Sequence, residues 1–283
     1  MVRTLALTAV CALTIGLAAL PAQPRFSPAE GADPLHAPLD QILDVNVRDG
    51  LVYYRALKSD RGRLDRYIAS LNVPSDTYAG WTPDQRAAFW LNAYDALVLE
   101  TVIDNYPIAG RSSTFPASSV KQVPGAFETR KHRAAGRTVT LDEIEKGILP
   151  EFKDARLYLA LGRGALGSGR LRSEAYTAQR LGRQLAAVQS EFVAEEQMIQ
   201  IDRSGNQVAV TPIVSWREAD FVAGYDPGAT GPFAQRSPIE RALVAFVLPH
   251  VLPLEKDLLQ KNEFKVSFRA FDWRLNDLTN RSE

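Results

Sequence analysis

The sequence predicts an α+β fold, a single domain with several helices around a small, mostly antiparallel sheet. Three observations predict it. Helix starts of the capping-box type recur at Thr82-Pro83-Asp84-Gln85, Thr140-Leu141-Asp142-Glu143 and Ser237-Pro238-Ile239-Glu240. Between them lie short alternating runs around glycine turns, the pattern of hairpins. No internal repeat is visible, and 46% hydrophobic with 23% charged residues in 283 is enough to build one sizeable core.

The elements follow in chain order. Arg3 followed by the apolar run Leu5 to Leu20 and then Leu20-Pro21-Ala22 has the form of a secretory signal peptide, residues 1–22. An extracytoplasmic protein, periplasmic or secreted, is expected, with no membrane span after cleavage; an uncleaved signal anchor is the alternative. Gln23 to Pro38, rich in Pro, Ala and Gly, reads as a flexible leader, so the domain is expected over 39–283. Leu64, Tyr67, Ile68 and Leu71 have helical spacing. The helix opened at Thr82 contains FWLNAYDALVLETVIDNYP, Phe89 to Pro107, apolar on most faces and therefore central. Ala126 to Arg133 and Arg137 to Val139 read as strands, followed by a short helix from Ile144 to Leu149. RLYLAL, Arg156 to Leu161, reads as a strand. Ser173 is the expected cap of a helix carrying Leu181, Leu185, Val188 and Phe192. Met198 to Asp202 and Gln207 to Thr211 form a hairpin around Ser204-Gly205-Asn206, the Ser237 helix runs through Val247, and Phe264 to Ala270 alternates as a last strand.

Charge and cysteine content exclude several functions. Thirty-three basic residues balance thirty-three acidic ones, so no nucleic-acid partner is expected. Cys11 is the single cysteine and falls in the signal segment. A mature chain cleaved after Ala22 has no thiolate nucleophile, disulfide or thiolate-ligated metal. His36, His132 and His250 show no metal-ligand spacing, and neither metal nor cofactor is expected.

After RLYLAL comes Gly162-Arg163-Gly164-Ala165-Leu166-Gly167-Ser168, which contains a G-x-G-x-x-G string. A dinucleotide site requires a helix to begin within that string, so that its positive end meets the pyrophosphate. Here Ser-Gly-Arg-Leu-Arg follows instead, and no strand ending in an acid comes about 20 residues on. Leu166 stands where a G-x-S-x-G elbow needs glycine. The loop reads as a backbone turn with Ser168 exposed on it.

Several phrases resemble the domain-of-unknown-function 547 family: VRDGLVYYRAL at 47–57, the Phe89 to Pro107 phrase, VTLDEIEKGIL at 139–149, the glycine loop with LRSEAY, VSWREADF at 214–221 and FDWRLND at 271–277. They span nearly the whole mature chain in the family's order. Many members of that family carry two cysteines in the glycine loop and a histidine after an Ile-Glu pair. If those groups form a thiol site, the resemblance implies a distant papain-like or transglutaminase-like fold. Here Arg163 and Ser168 occupy the cysteine positions and Lys146, after Ile144-Glu145, the histidine position.

The leading expectation is therefore an exported, noncatalytic domain that binds a peptide or protein, with a small-molecule partner left open. Its candidate ligand-binding residues are Arg163, Gly164, Arg170, Asn92 and Asp95. The alternative is a serine-dependent hydrolase or acyltransferase with Ser168 as nucleophile, Lys146 as base and Glu145 beside it, which needs Ser168 and Lys146 within hydrogen-bond reach. Asn92 and Asp95 also read as partners of loop backbone or an arginine. Arg163, Arg170 and Arg172 read as a solvated loop edge or an anion pocket. Glu145 with Lys146 reads also as a surface charge pair, and Trp90, Trp216 and Trp273 as core and corner residues rather than a sugar platform.

Overall fold

The computed structural model describes residues 33–280. The signal segment, Cys11 and the leader as far as Gly31-Ala32 lie outside the described residues. The order begins α1 (Ala37–Asn46), β1 (Val47–Arg48), β2 (Leu51–Val52), α2 (Tyr54–Ser59), α3 (Gly62–Ser70), α4 (Ser75–Ala79) and α5 (Pro83–Asn105). Next come β3 (His132–Ala134), β4 (Arg137–Val139), α6 (Leu141–Glu143) and α7 (Arg156–Ala160), with a π turn over Ile144–Ile148 and a 3-10 turn over Leu149–Phe152 between the last two. The chain closes with α8 (Leu181–Ala194), β5 (Ile199–Asp202), β6 (Gln207–Val210), α9 (Ile213–Trp216), α10 (Glu218–Tyr225), α11 (Pro238–Val247), α12 (Pro253–Lys261) and β7 (Lys265–Phe268).

The expected α+β class is what the described residues form. α5 is its axis. Thr82 Oγ1 accepts the Gln85 N–H while the Gln85 side chain accepts the Thr82 N–H, and Pro83 fits the first turn. Every residue from Ala87 to Leu99 is buried, as a helix apolar on all faces requires. Twenty-three residues give it a length of roughly 34 Å, enough to pass through a small domain. The other two capping boxes, at Thr140 and Ser237, also form.

The β structure is dispersed. β1 and β2 pair through Arg48-Asp49-Gly50-Leu51, where Asp49 and Gly50 both have positive φ (51° and 79°), the two-residue Asp-Gly hairpin turn. β3 pairs antiparallel with β4, and β5 with β6, while β7 lies parallel to β6 with Lys265 beside Gln207. Isolated bridges, Val52 to Asp277 and Ala165 to Leu275, bring the C-terminal segment onto both the first hairpin and the glycine loop.

Four sequence expectations change. α1 opens at Ala37, two residues before the expected start, and His36 is buried with its Nδ1 2.8 Å from the Tyr67 hydroxyl. Burial pushes the His36 pKa down to about 4, against the opposing charge of Asp33. RLYLAL is the helix α7, because Asp154 Oδ1 accepts the Arg156 N–H and starts a helical turn whose residues 157–160 are all buried. Most of Ala126 to Arg133 is turn, tightened at Gly125, and only its end joins β3. Ser173 caps nothing; α8 starts at Leu181, and Gln184 satisfies the preceding loop by accepting from Thr177 N and donating to the Ala175 carbonyl.

Candidate functional site

The glycine loop leaves α7 at Leu161 and crosses α5. Asp95 Oδ1 accepts the Gly162 N–H at 2.8 Å. Three residues earlier on the same helix, Asn92 donates to the Tyr176 carbonyl and accepts from its N–H, both at 2.8 Å, so one side chain pairs with loop backbone as a strand would. Burial raises the Asp95 pKa to about 7, opposed by the Gly162 N–H and the charge of Arg163. Both residues therefore hold the loop, as partners of its backbone. Gly164 has φ +67°, and a Cβ there would stand 3.2 Å from Val98 on α5. It serves close packing of the loop on α5. Gly169 is stricter, because a Cβ would lie 1.6 Å from the Leu159 carbonyl oxygen.

Arg163 and Ser168 turn inward. The Ser168 Oγ accepts the Arg163 N–H at 3.0 Å, and Ser168 is buried rather than exposed on a turn. The Arg163 guanidinium is spent inside the protein: Nη2 and Nε donate to Glu145 at 2.6 and 3.2 Å, and Nη1 donates to the Tyr158 carbonyl at 3.1 Å. Glu145 also accepts from the Tyr94 hydroxyl at 3.1 Å. Burial alone would raise the Glu145 carboxyl, but the charge and hydrogen bonds of Arg163, with Tyr94, hold it below the ordinary glutamate value. Glu145 is thus no surface charge pair with Lys146. The π turn after the Thr140 capping box sends Glu145 inward and Lys146 outward, where Lys146 Nζ pairs with Asp142 at 2.6 Å.

The proposed serine and base do not meet. Ser168 and Lys146 share no hydrogen bond, and they line different recesses. Ser168 faces a shallow hollow near Asp49 and Asn276, where Arg170 pairs with Asp49 at 2.9 Å. Arg172 is held by Glu174 and Glu191. No anion pocket of three arginines forms from the loop, since Arg163, Arg170 and Arg172 each face a different carboxylate.

Glu145, Lys146 and Arg163 do share one cleft, of about 340 Å³. One wall is charged and the other aromatic. Trp216, 47% exposed at the end of α9, stacks near-parallel to Trp273 (centroids 6.4 Å apart, 20° between planes) and lies 5.1 Å from Phe271. Lys121 sets its ammonium 5.1 Å from the Phe127 ring centroid and 5.6 Å from that of Trp273, and pairs with Glu128 at 2.6 Å. Arg217 lies 4.0 Å over the Tyr158 ring, donates to its hydroxyl at 2.7 Å and pairs with Asp220. Backbone bonds from Leu166 N to the Arg274 carbonyl and Gly167 N to the Asp272 carbonyl, both 2.8 Å, fasten the Trp273 segment to the glycine loop. Trp90 is a core residue donating to Tyr78, as expected, whereas Trp216 and Trp273 form a cleft wall. Sequence reasoning missed Lys121 and Arg217 altogether. The signal for Arg217 was the adjacent Trp-Arg in VSWREADF, directly before the acidic start of α10.

A larger recess of about 470 Å³ lies between α1 and α3, but none of the expected site residues lines it. Among the described residues, no group of three His, Cys, Asp or Glu is placed to hold a metal ion, and no helix is long and apolar enough to cross a membrane.

Residues 78–193 match the family model described as "Protein of unknown function, DUF547". The match contains α5, the β3–β4 hairpin and the whole glycine loop; Trp216, Arg217 and Trp273 lie outside it. No curated protein and no solved structure matches the chain.

Proposed function

We propose that this protein is a noncatalytic binding domain whose ligand, a peptide or a segment of a protein, seats in the cleft between the Trp216–Trp273 wall and the Lys146–Arg163 wall. The observation that carries the reading is the Arg163–Glu145 pair. The positions that the family resemblance gives to a cysteine and a histidine face the same cleft here, yet one side chain is a guanidinium spent on Glu145 and Tyr158, and the other is an ammonium turned to Asp142. Neither is arranged as nucleophile or base. A cleft with an exposed aromatic face and fixed charges is suited to recognition. Export, supported by the residue 1–22 pattern, belongs to the same proposal; N-terminal sequencing of the cell-fractionated protein should return a chain starting after Ala22, and an intact Met1 on a soluble cytoplasmic species refutes it.

The binding reading is tested by titrating the protein with pooled synthetic peptides while following the indole N–H resonances. Shifts at Trp216 and Trp273 are expected, together with no turnover of an ester and peptide panel. Turnover that disappears in both Ser168→Ala and Lys146→Ala would overturn it in favour of the serine enzyme.

A further inference from the structure

Among the residues that line the cleft, four cations face three acids. Three of its lining cations have lining acids as partners: Lys121 with Glu128, Lys146 with Asp142 and Arg163 with Glu145. The fourth, Arg217, is paired with Asp220, which does not line the cleft. Its Nε and Nη2 are used by Asp220 and Tyr158, and its Nη1 has no acceptor among the described residues. Stacking on Tyr158 and the bonds to Asp220 hold the guanidinium in one orientation, so a further acceptor meets a preorganised donor. The next residue back is Trp216, whose indole is exposed at the same cleft. At about 340 Å³ the cleft is near the lower end of the roughly 300–1,000 Å³ range of small-ligand sites, so it suits one ring-bearing residue with its flanking backbone better than a long peptide.

Resting on the binding reading above, we infer that the cleft takes the C-terminus of a peptide ending in an aromatic residue, the ring against Trp216 and the terminal carboxylate on Arg217. Aromatic rings in offset or edge contact add to the apolar burial on Trp216. The carboxylate takes the Nη1 donor that Asp220 and Tyr158 leave open. Both contacts line the one small cleft, so ring and carboxylate are assigned to the same or adjacent ligand residues.

The test is a fluorescence and NMR titration of the full chain with four probes: N-acetyl-Ala-Ala-Phe as the free acid, its C-terminal amide, N-acetyl-Ala-Ala-Ala and 3-phenylpropionate. The free acid should bind at least about tenfold tighter than its amide, as a charge-assisted hydrogen bond requires, and tighter than the alanine peptide. Trp216→Ala, at an exposed position, should remove the preference for Phe over Ala. Arg217→Lys keeps the charge beside Asp220 and should weaken the free acid while leaving the amide unchanged. Equal binding of acid and amide overturns the carboxylate assignment and leaves the binding reading standing. Binding of 3-phenylpropionate as tight as that of the peptide overturns the peptide C-terminus in favour of a small aromatic acid. If none of the four binds, the inference fails, and if pooled random peptides also leave both indoles unshifted, the binding reading fails with it.

Discussion

Glu145 and Lys146 are neighbours in sequence, and each makes an ion pair with an N···O distance of 2.6 Å, yet the two pairs occupy opposite regimes. The Arg163 and Glu145 side chains are 2% and 11% exposed, whereas Lys146 is 64% exposed. Distance is therefore no guide to strength here. The buried pair has lost its water and survives because every charged group has protein partners; the outer pair exchanges water for a contact of nearly equal worth.

The largest difference should come from breaking the inner pair. Arg163→Ala leaves Glu145 buried without its partner and should cost about 3–5 kcal/mol of unfolding free energy, read from urea denaturation followed by circular dichroism. Arg163→Met, which refills the space, combined with Glu145→Gln should recover much of that loss. A loss in Arg163→Ala as small as that of an exposed pair would dissolve the contrast.

Asp95, beneath the same loop, sharpens it through pH. Its folded pKa of about 7 lies above the unfolded value near 3.8, so between those values the folded chain holds a proton that the unfolded chain has released. Stability from this group is complete below the unfolded value and falls as pH rises through about 7. Asp95→Asn keeps an oxygen for the Gly162 N–H but cannot titrate. Comparing urea midpoints at pH 5 and pH 8, the wild type should lose ground to Asp95→Asn at the higher pH. His36, whose depressed pKa works in the opposite direction as pH falls, is common to both proteins and drops out. A difference independent of pH would mean that the carboxyl does not titrate in this range.

The smallest effect belongs to the outer pair. Lys146→Ala should change stability by about 0.5 kcal/mol or less, as exposed pairs spaced by one helical turn do, and salt should erase even that. Larger damage would show that Lys146 supports the cleft in a way its contact with Asp142 does not reveal.

The fold was legible wherever a segment carried its own local signal. The Thr82, Thr140 and Ser237 boxes, the apolar girth of α5 and the hairpin around Gly205 need only neighbours in sequence to be recognised. α7 was not legible, because RLYLAL is apolar at both helical and strand spacing, and the deciding bond comes from Asp154 just upstream. The site was legible in part. Asn92 and Asp95 could be read as anchors of loop backbone, because a buried polar side chain on an apolar helix needs a partner. The opposite facing of Glu145 and Lys146 was hidden, since a π turn shifts the helical phase by a residue with no mark in composition, and the inward turn of Ser168 rests on its bond to the Arg163 N–H within an irregular loop. The Trp216–Trp273 wall was hidden for another reason: it joins residues from distant parts of the chain.

The reciprocal bonds of Asn92 with Tyr176 have a consequence for the order in which the molecule assembles. The two residues are 84 positions apart, and both bonds need α5 to present the amide side chain of Asn92 on its surface. Helical turns form in about a microsecond, whereas bringing together segments so far apart waits on chain diffusion and the ordering of what lies between. The glycine loop is expected to acquire its shape by docking on a helix that is already made. Residues 162–176 take their geometry from α5, held to it at Gly162 by Asp95 and at Tyr176 by Asn92.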